Sequence, residues 1–270
     1  MKPLAAAMGL LLAGCAGSGD PSSGNASGPT IVSLNPCTDA ILAEVAAPGQ
    51  LLAISHYSKD PRASSMSESD AARFAATGGT VDEIIALEPD LVIASTFIAP
   101  ATRNALEKLG FTVETFGAAA TVDDSIAQVR RLAALAGREE AGAVLVGEIE
   151  QAIADLSADG NEIEAVLWQP GGIVPGEGAL VSDLMRRTGF GSYSAKRGLA
   201  QADYLPLEQV VADPPEVLLV AGSEAGQEHP VLDTLPGLRR ESFDTRLLYC
   251  GGPTIIEAAR RLAEIRGSST

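Results

Sequence analysis

The sequence predicts an α/β protein of two lobes with mostly parallel sheets, joined by one long helix, and three observations carry that expectation. From Thr30 onward short β-branched runs alternate with helical patterns, as the strands and crossovers of a parallel sheet do. Midway, "REEAGAVLVGEIEQAIADLS" (138–157) stays helical for 20 residues, roughly 30 Å at 1.5 Å per residue. Finally, "TVDEIIALEPDLVIAS" (80–95) is restated by "PLEQVVADPPEVLLVAG" (206–222) at an offset of 126 residues. With Asp82 placed on Glu208, Ile84 falls on Val210, Ile85 on Val211, Pro89 on Pro215 and Leu91 on Val217. A helix–proline–strand corner, with an acid at the helix start, therefore recurs on either side of the central helix.

The elements follow in order. "TIVSL" (30–34) reads as a strand, "CTDAILAEVA" (37–46) as a short helix and "QLLAISHY" (50–57) as a second strand leading into a polar loop. After the first corner, 99–110 is a helix closed by Gly110, and "FTVETFG" is a strand. "TVDDSIAQVRRLAALAG" opens with a Thr-x-x-Asp helix start and stops at Gly137. Beyond the long helix come strand 164–168, a Gly/Pro-rich loop, helix "ALVSDLMRRTG", the second corner, a last strand "RLLYCGG" (246–252) and a last helix "PTIIEAARRLAEI". The expected divisions are a leader at 1–14, a tether at 15–29, a first lobe at 30–137, a bridging helix at 138–158 and a second lobe at 159–270.

The N-terminal stretch is unlike the rest. "MKPLAAAMGLLLAGC" has one Lys, an apolar run and small residues before Cys15, a secretion signal rather than a spanning helix. Leu12 to Cys15 resemble a bacterial lipobox, which implies a lipid-modified Cys15 after cleavage. "AGSGDPSSGNASGP" offers no residue for a core and reads as a flexible leash. The formal charge is 19 minus 35, or −16, which disfavours nucleic acid or an anionic membrane surface as partner.

Catalytic and cofactor motifs are missing. The chain has no Gly-x-Ser-x-Gly elbow, no Gly-x-Gly-x-x-Gly after a strand, no phosphate loop, no His-Glu-x-x-His and no Cys-x-x-Cys. Two histidines, His56 and His229, do not make a His-rich metal site. A binder is the simpler reading. Its rivals are an enzyme built on the same two-lobed scaffold and an envelope structural protein.

The ordered pieces "IVSLNPCTDAIL", "LLAISHYSKDP", "VDEIIALEPDLVIAS", the central helix and "PLEQVVADPPEVLLVAG" resemble a known family. It comprises the class III periplasmic and lipid-anchored substrate-binding proteins of ABC importers for vitamin B12, ferric siderophores and haem. The resemblance runs from about Ile31 to Ile265. It implies two Rossmann-like lobes on a rigid helical backbone, a shallow cleft between them, and a metal chelate as cargo rather than cofactor. It also implies that Asp82 and Glu208 dock into a permease dimer, with Glu83 a near alternative to Asp82. A periplasmic monomer, held to a membrane only by lipid, is expected.

Within the expected cleft, His56 and Tyr57 end the second strand, and His56 is a candidate axial ligand to cobalt or iron. Ser95 and Phe97 end another strand at the same face. Trp168, the only tryptophan, followed by Gln169, ends the second lobe's first strand and is a candidate platform for a planar ligand. Tyr193, Tyr204 and Tyr249 are weaker candidates. Cobalamin binders of the family commonly carry tryptophans where this chain has Ala76, Ala202 and Ser95, so no aromatic cage is indicated. A ferric siderophore calls for converging arginines, for which Arg62, Arg73, Arg103 and Arg197 are available. Cys37 and Cys250 follow strands in different lobes. A disulfide, two unbridged thiols and a functional role all remain open for them.

Overall fold

The computed structural model describes residues 28–155, 161–248 and 250–267. The leader, Cys15, most of the tether and Tyr249 lie outside the described residues. The first lobe runs β1 (Ile31–Ser33), α1 (Pro36–Val45), β2 (Leu51–Ser55), α2 (Glu68–Ala72), β3 (Ala75–Thr77), α3 (Val81–Leu87), β4 (Leu91–Ser95), α4 (Pro100–Lys108) and β5 (Thr112–Phe116). Its five strands lie in the order β3-β2-β1-β4-β5, every neighbour parallel, with Ile31 opposite both Leu51 and Leu91. Helices α5 (Val122–Leu135) and α6 (Glu139–Asp155) then lead to the second lobe.

That lobe comprises β6 (Ile163–Trp168), β7 (Ile173–Val174), α7 (Leu180–Arg187), β8 (Phe190–Ser192), α8 (Tyr193–Lys196), β9 (Asp203–Tyr204), α9 (Leu207–Ala212), β10 (Val217–Val220), β11 (Arg239–Ser242) and α10 (Thr254–Gly267). Its main sheet is again parallel, in the order β11-β10-β6-β8, and β7 pairs with β9 as a small antiparallel ribbon. The central strands "LVIAS" and "VLLV" are apolar along most of their length because helices cover both faces of a parallel sheet.

Helix α6 turns one face inward through Gly142, Leu145, Val146, Ile149 and Ala152, the three- and four-residue spacing of an amphipathic helix. Gly142 permits the approach: a Cβ there would lie 2.3 Å from that of Ala133 on α5. One core cluster runs through both lobes, from Ile31, Ile54 and Ile93 through Leu132, Val146 and Ile149 to Leu167, Leu219 and Leu262. Each such fully buried aliphatic side chain contributes about 1.5–3 kcal/mol.

The expected last strand at 246–252 is not one. Thr245–Leu248 forms a 3₁₀ turn whose Leu247 and Leu248 pack against the core, and the last strand is β11, "RRES". An edge strand pairs on one side only and tolerates the charges that hid it. The second strand stops at Ser55, whose hydroxyl accepts the Tyr57 N–H and starts a 3₁₀ turn over His56–Lys59. The repeated corner is present twice, as α3–β4 and α9–β10.

Candidate functional site

In a parallel sheet the strand C-termini and the loops after them form the natural binding edge. Here the loops after β5 and β7, the start of α1 and the segment before α10 enclose a cavity of about 410 Å³ between the lobes. Ala118, Ala119 and Ala120 line one side, Gly178, Ala179 and Leu180 the other, and Leu248 and Gly251 lie below. None of the lining side chains carries a charge; Gln201 is the polar contribution. A larger hollow of about 660 Å³ runs along the outer face of α6 and α10, bordered by Val144, Gln151, Ile256 and Arg260. It touches no strand end, so the inter-lobe cavity is the better candidate.

Cys37 and Cys250 also line this cavity, joined as a disulfide with their Cα atoms 4.9 Å apart. Of the three alternatives the sequence left open, the structure holds the bridge, and it spans the two lobes.

After β2 and β4 the first lobe presents exposed aromatics. The His56 and Tyr57 rings lie 4.0 Å apart and tilted by 36°, and His56 Nδ1 sits 3.3 Å from the Thr77 carbonyl. Tyr57 is 54% exposed and Phe97 is 88% exposed, the latter in a turn whose backbone N–H bonds to Ser95 Oγ at 3.1 Å. In the second lobe, Tyr204 is 64% exposed at the end of the small ribbon.

Trp168 is not exposed in this way. It is 2% exposed, packs with Val174, Leu205 and Leu218, and its Nε1–H donates to the Leu205 carbonyl at 2.9 Å. The reason is strand alternation: Trp168 shares a sheet face with Val166 and belongs to the same buried cluster. It is therefore a core residue and no ligand platform. Gln169, next along, is half-buried with its backbone bonded to Ile173 and Gly172. Tyr193 is likewise in the core, its hydroxyl donating to the Asp213 carbonyl.

The four arginines do not converge. Arg62 pairs with Asp60, Arg73 with Asp70, Arg103 with Glu107, and Arg197 with Glu164 and Asp213 while stacked over Tyr193. Arg62, Arg73 and Arg103 pair within their own short segments, and Arg197 pairs with Glu164 of β6 and with Asp213 beyond α9.

Sequence reasoning missed Asp39. It lies on the buried face of α1, where its Oδ2 accepts the Ser55 N–H at 2.8 Å and the Ser58 hydroxyl at 2.6 Å. It thereby holds both ends of the turn that carries His56 and Tyr57. Burial pushes its carboxyl up to about 7, and the nearby Ser33 hydroxyl and the bonds from Ser58 and Ser55 offset this only in part. An acid among "CTDAILAEV" looks like an ordinary first-turn residue, and only the tertiary packing of α1 on β2 reveals it.

The periplasmic binding protein family model matches residues 31–236, well over half of the chain. The chain belongs to the periplasmic binding protein family. No curated protein matches its sequence. Among solved structures it is similar to the periplasmic vitamin B12 binding protein BtuF of Vibrio cholerae, at 20% identity and TM-score 0.70, over 90% of this chain and 98% of that one. It is also similar to the periplasmic heme binding protein HutB of Vibrio cholerae, at 16% identity and TM-score 0.71, over 88% and 98%. A third likeness is to the periplasmic heme-binding protein RhuT from Roseiflexus sp. RS-1, at 20% and 0.66, over 88% and 96%. These likenesses establish the fold, α/β with parallel sheets in two lobes.

In this periplasmic binding protein the repeated corner sets two acids outward. Asp82 and Glu208 are exposed in the first turns of α3 and α9, and neither enters an ion pair among the described residues. Glu83, the near alternative, is tied down: it forms a capping box with Thr80, and hydrogen bonds from Thr80 and Gly78 hold its carboxyl below the usual range. Among the described residues no helix is long and apolar enough to cross a membrane.

Proposed function

We propose that this protein is the substrate-binding component of an ABC importer and captures a metal-chelate nutrient, a cobalamin or ferric siderophore, in the inter-lobe cavity. The observation that carries the reading is an uncharged cavity beside the strand ends, lined from both lobes. Apolar walls with few polar groups suit a bulky ligand whose charge is internally satisfied. The absence of charged side chains from the cavity lining favours cobalamin over an anionic siderophore. Similarity to vitamin B12- and heme-binding periplasmic proteins supports the same class. Asp82 and Glu208 present the loaded protein to the permease dimer, and a lipid on Cys15 tethers it to the envelope.

Calorimetric titration of the chain freed of its leader, against cyanocobalamin, hemin and a panel of ferric siderophores, tests the cargo. One class should bind saturably with Kd at or below about 1 μM, roughly −8 kcal/mol; silence across the panel sinks the metal-chelate reading. Fluorescence is the poorer probe because Trp168 is buried. The anchor has its own check in the mass of the mature N-terminal peptide, which should carry acyl chains on Cys15; an unmodified or uncleaved N-terminus overturns it.

A further inference from the structure

We propose that the Cys37–Cys250 disulfide is a positioning element of the binding site: it forms part of the cavity floor and fixes the gap between the lobes, so that the ligand enters a cavity of preset width. This rests on the inter-lobe cavity being the ligand site.

The lobes are already joined by α6. The disulfide adds a second fixed point, on the cavity wall itself and 213 residues apart in sequence. The core cluster that runs through both lobes packs them elsewhere; the covalent bond sets their separation at the cavity wall itself. Both anchors are stiff. Cys37 sits in the first turn of α1, its N–H bonded to the Asn35 side chain at 3.0 Å. Cys250 is followed at once by Gly251 and Gly252, which press on the other lobe's side of the gap. A Cβ on Gly251 would lie 2.1 Å from Ser125 Oγ, and the Gly252 N–H donates to that same oxygen at 2.7 Å.

Three further polar contacts cross between the lobes. The Val122 N–H donates to Asp183 at 2.9 Å, Arg187 reaches across to Asp123 at 2.9 Å, and the Ser65 hydroxyl donates to the Arg246 carbonyl at 2.7 Å. Such polar ties exchange with water and are individually weak; the covalent bond keeps them within reach of one another. A site held open at its working width binds without first ordering itself, which favours affinity.

The test compares the full mature chain with its Cys37→Ala/Cys250→Ala variant by hydrogen–deuterium exchange and small-angle scattering, without ligand. The amides of Val122 and Gly252, bonded across the gap, should exchange at least tenfold faster in the variant, with a larger radius of gyration, while β4 and β10 amides keep their rates. Unchanged exchange at Val122 and Gly252 overturns the proposal. If the variant does not fold, folded wild-type protein reduced with a phosphine gives the same comparison. Titration with cyanocobalamin and hemin supplies the second arm: whichever probe the wild type binds should bind the variant at least fivefold more weakly, and an equal Kd overturns the role in binding. Should neither probe bind wild type, the ferric siderophore panel takes their place, and silence there too fails the cargo assignment, whereas the exchange comparison still decides whether the disulfide holds the gap.

Discussion

Asp39 shows what a single buried group sets in this fold. Its carboxyl titrates near neutrality, raised from 3.8 to about 7 chiefly by burial, so the native state binds its proton more tightly than the unfolded chain does. Stability contributed by this group is therefore fully present below about pH 4 and is lost as pH rises toward about 7. That shift corresponds to an upper bound on the order of 4 kcal/mol. Asp39→Asn keeps an acceptor for the Ser55 N–H and Ser58 hydroxyl while removing the ionisation. Thermal unfolding followed by circular dichroism should then show wild type losing stability between about pH 4 and 7, with the variant flatter over that range and the more stable of the two at pH 8. Parallel curves for the two proteins would mean that Asp39 does not titrate there. Because the same carboxylate fastens the His56–Lys59 turn, ligand affinity measured in that pH window should follow the titration in wild type and not in the variant.

At the scale of elements, legibility tracked how locally each one is determined. Both corners could be read because α3–β4 and α9–β10 combine an acidic helix start, a proline break and an apolar strand, all within sixteen or so residues of sequence. α6 could be read from its periodicity. β3, β8 and β11 could not: "AAT", "FGS" and "RRES" are short sheet-edge segments whose pairing with β2, β6 and β10 comes from distant sequence. "RLLYCGG" misled for the converse reason, since apolar residues beside a core need not form a strand. The site divides in the same way. His56, Tyr57 and Phe97 follow strand ends and are exposed there. Trp168 also stands at a strand end, yet the parity of β6 turns it into the core. The Ala118–Ala120 loop carries no distinctive chemistry, so only its juxtaposition with Gly178–Leu180 across the gap marks it as cavity wall.

For the whole molecule, the disulfide, the bridging helix and the outward acids are connected. Two charges separated across a large surface orient a partner only if their spacing is constant, and here each acid rides on a lobe tied to the other by α6 and by Cys37–Cys250. The chain-entropy argument gives a bridge closing a loop of 213 residues about 5 kcal/mol of stabilisation, so the same bond also secures the two-lobed state against unfolding. On the docking proposal, Asp82→Lys and Glu208→Lys should each weaken binding to the cognate permease by about tenfold, most of it lost again at high salt because both positions are solvent-exposed. The double variant should bind far less than either alone, while its cargo affinity and unfolding temperature stay at wild-type values, since neither acid touches the cavity or an ion pair among the described residues. Binding of the double variant to permease in nanodiscs at wild-type strength and low salt would remove these two acids from the interface. A loss confined to one of them would mean that a single lobe carries the contact and that the repeated corner serves the fold alone.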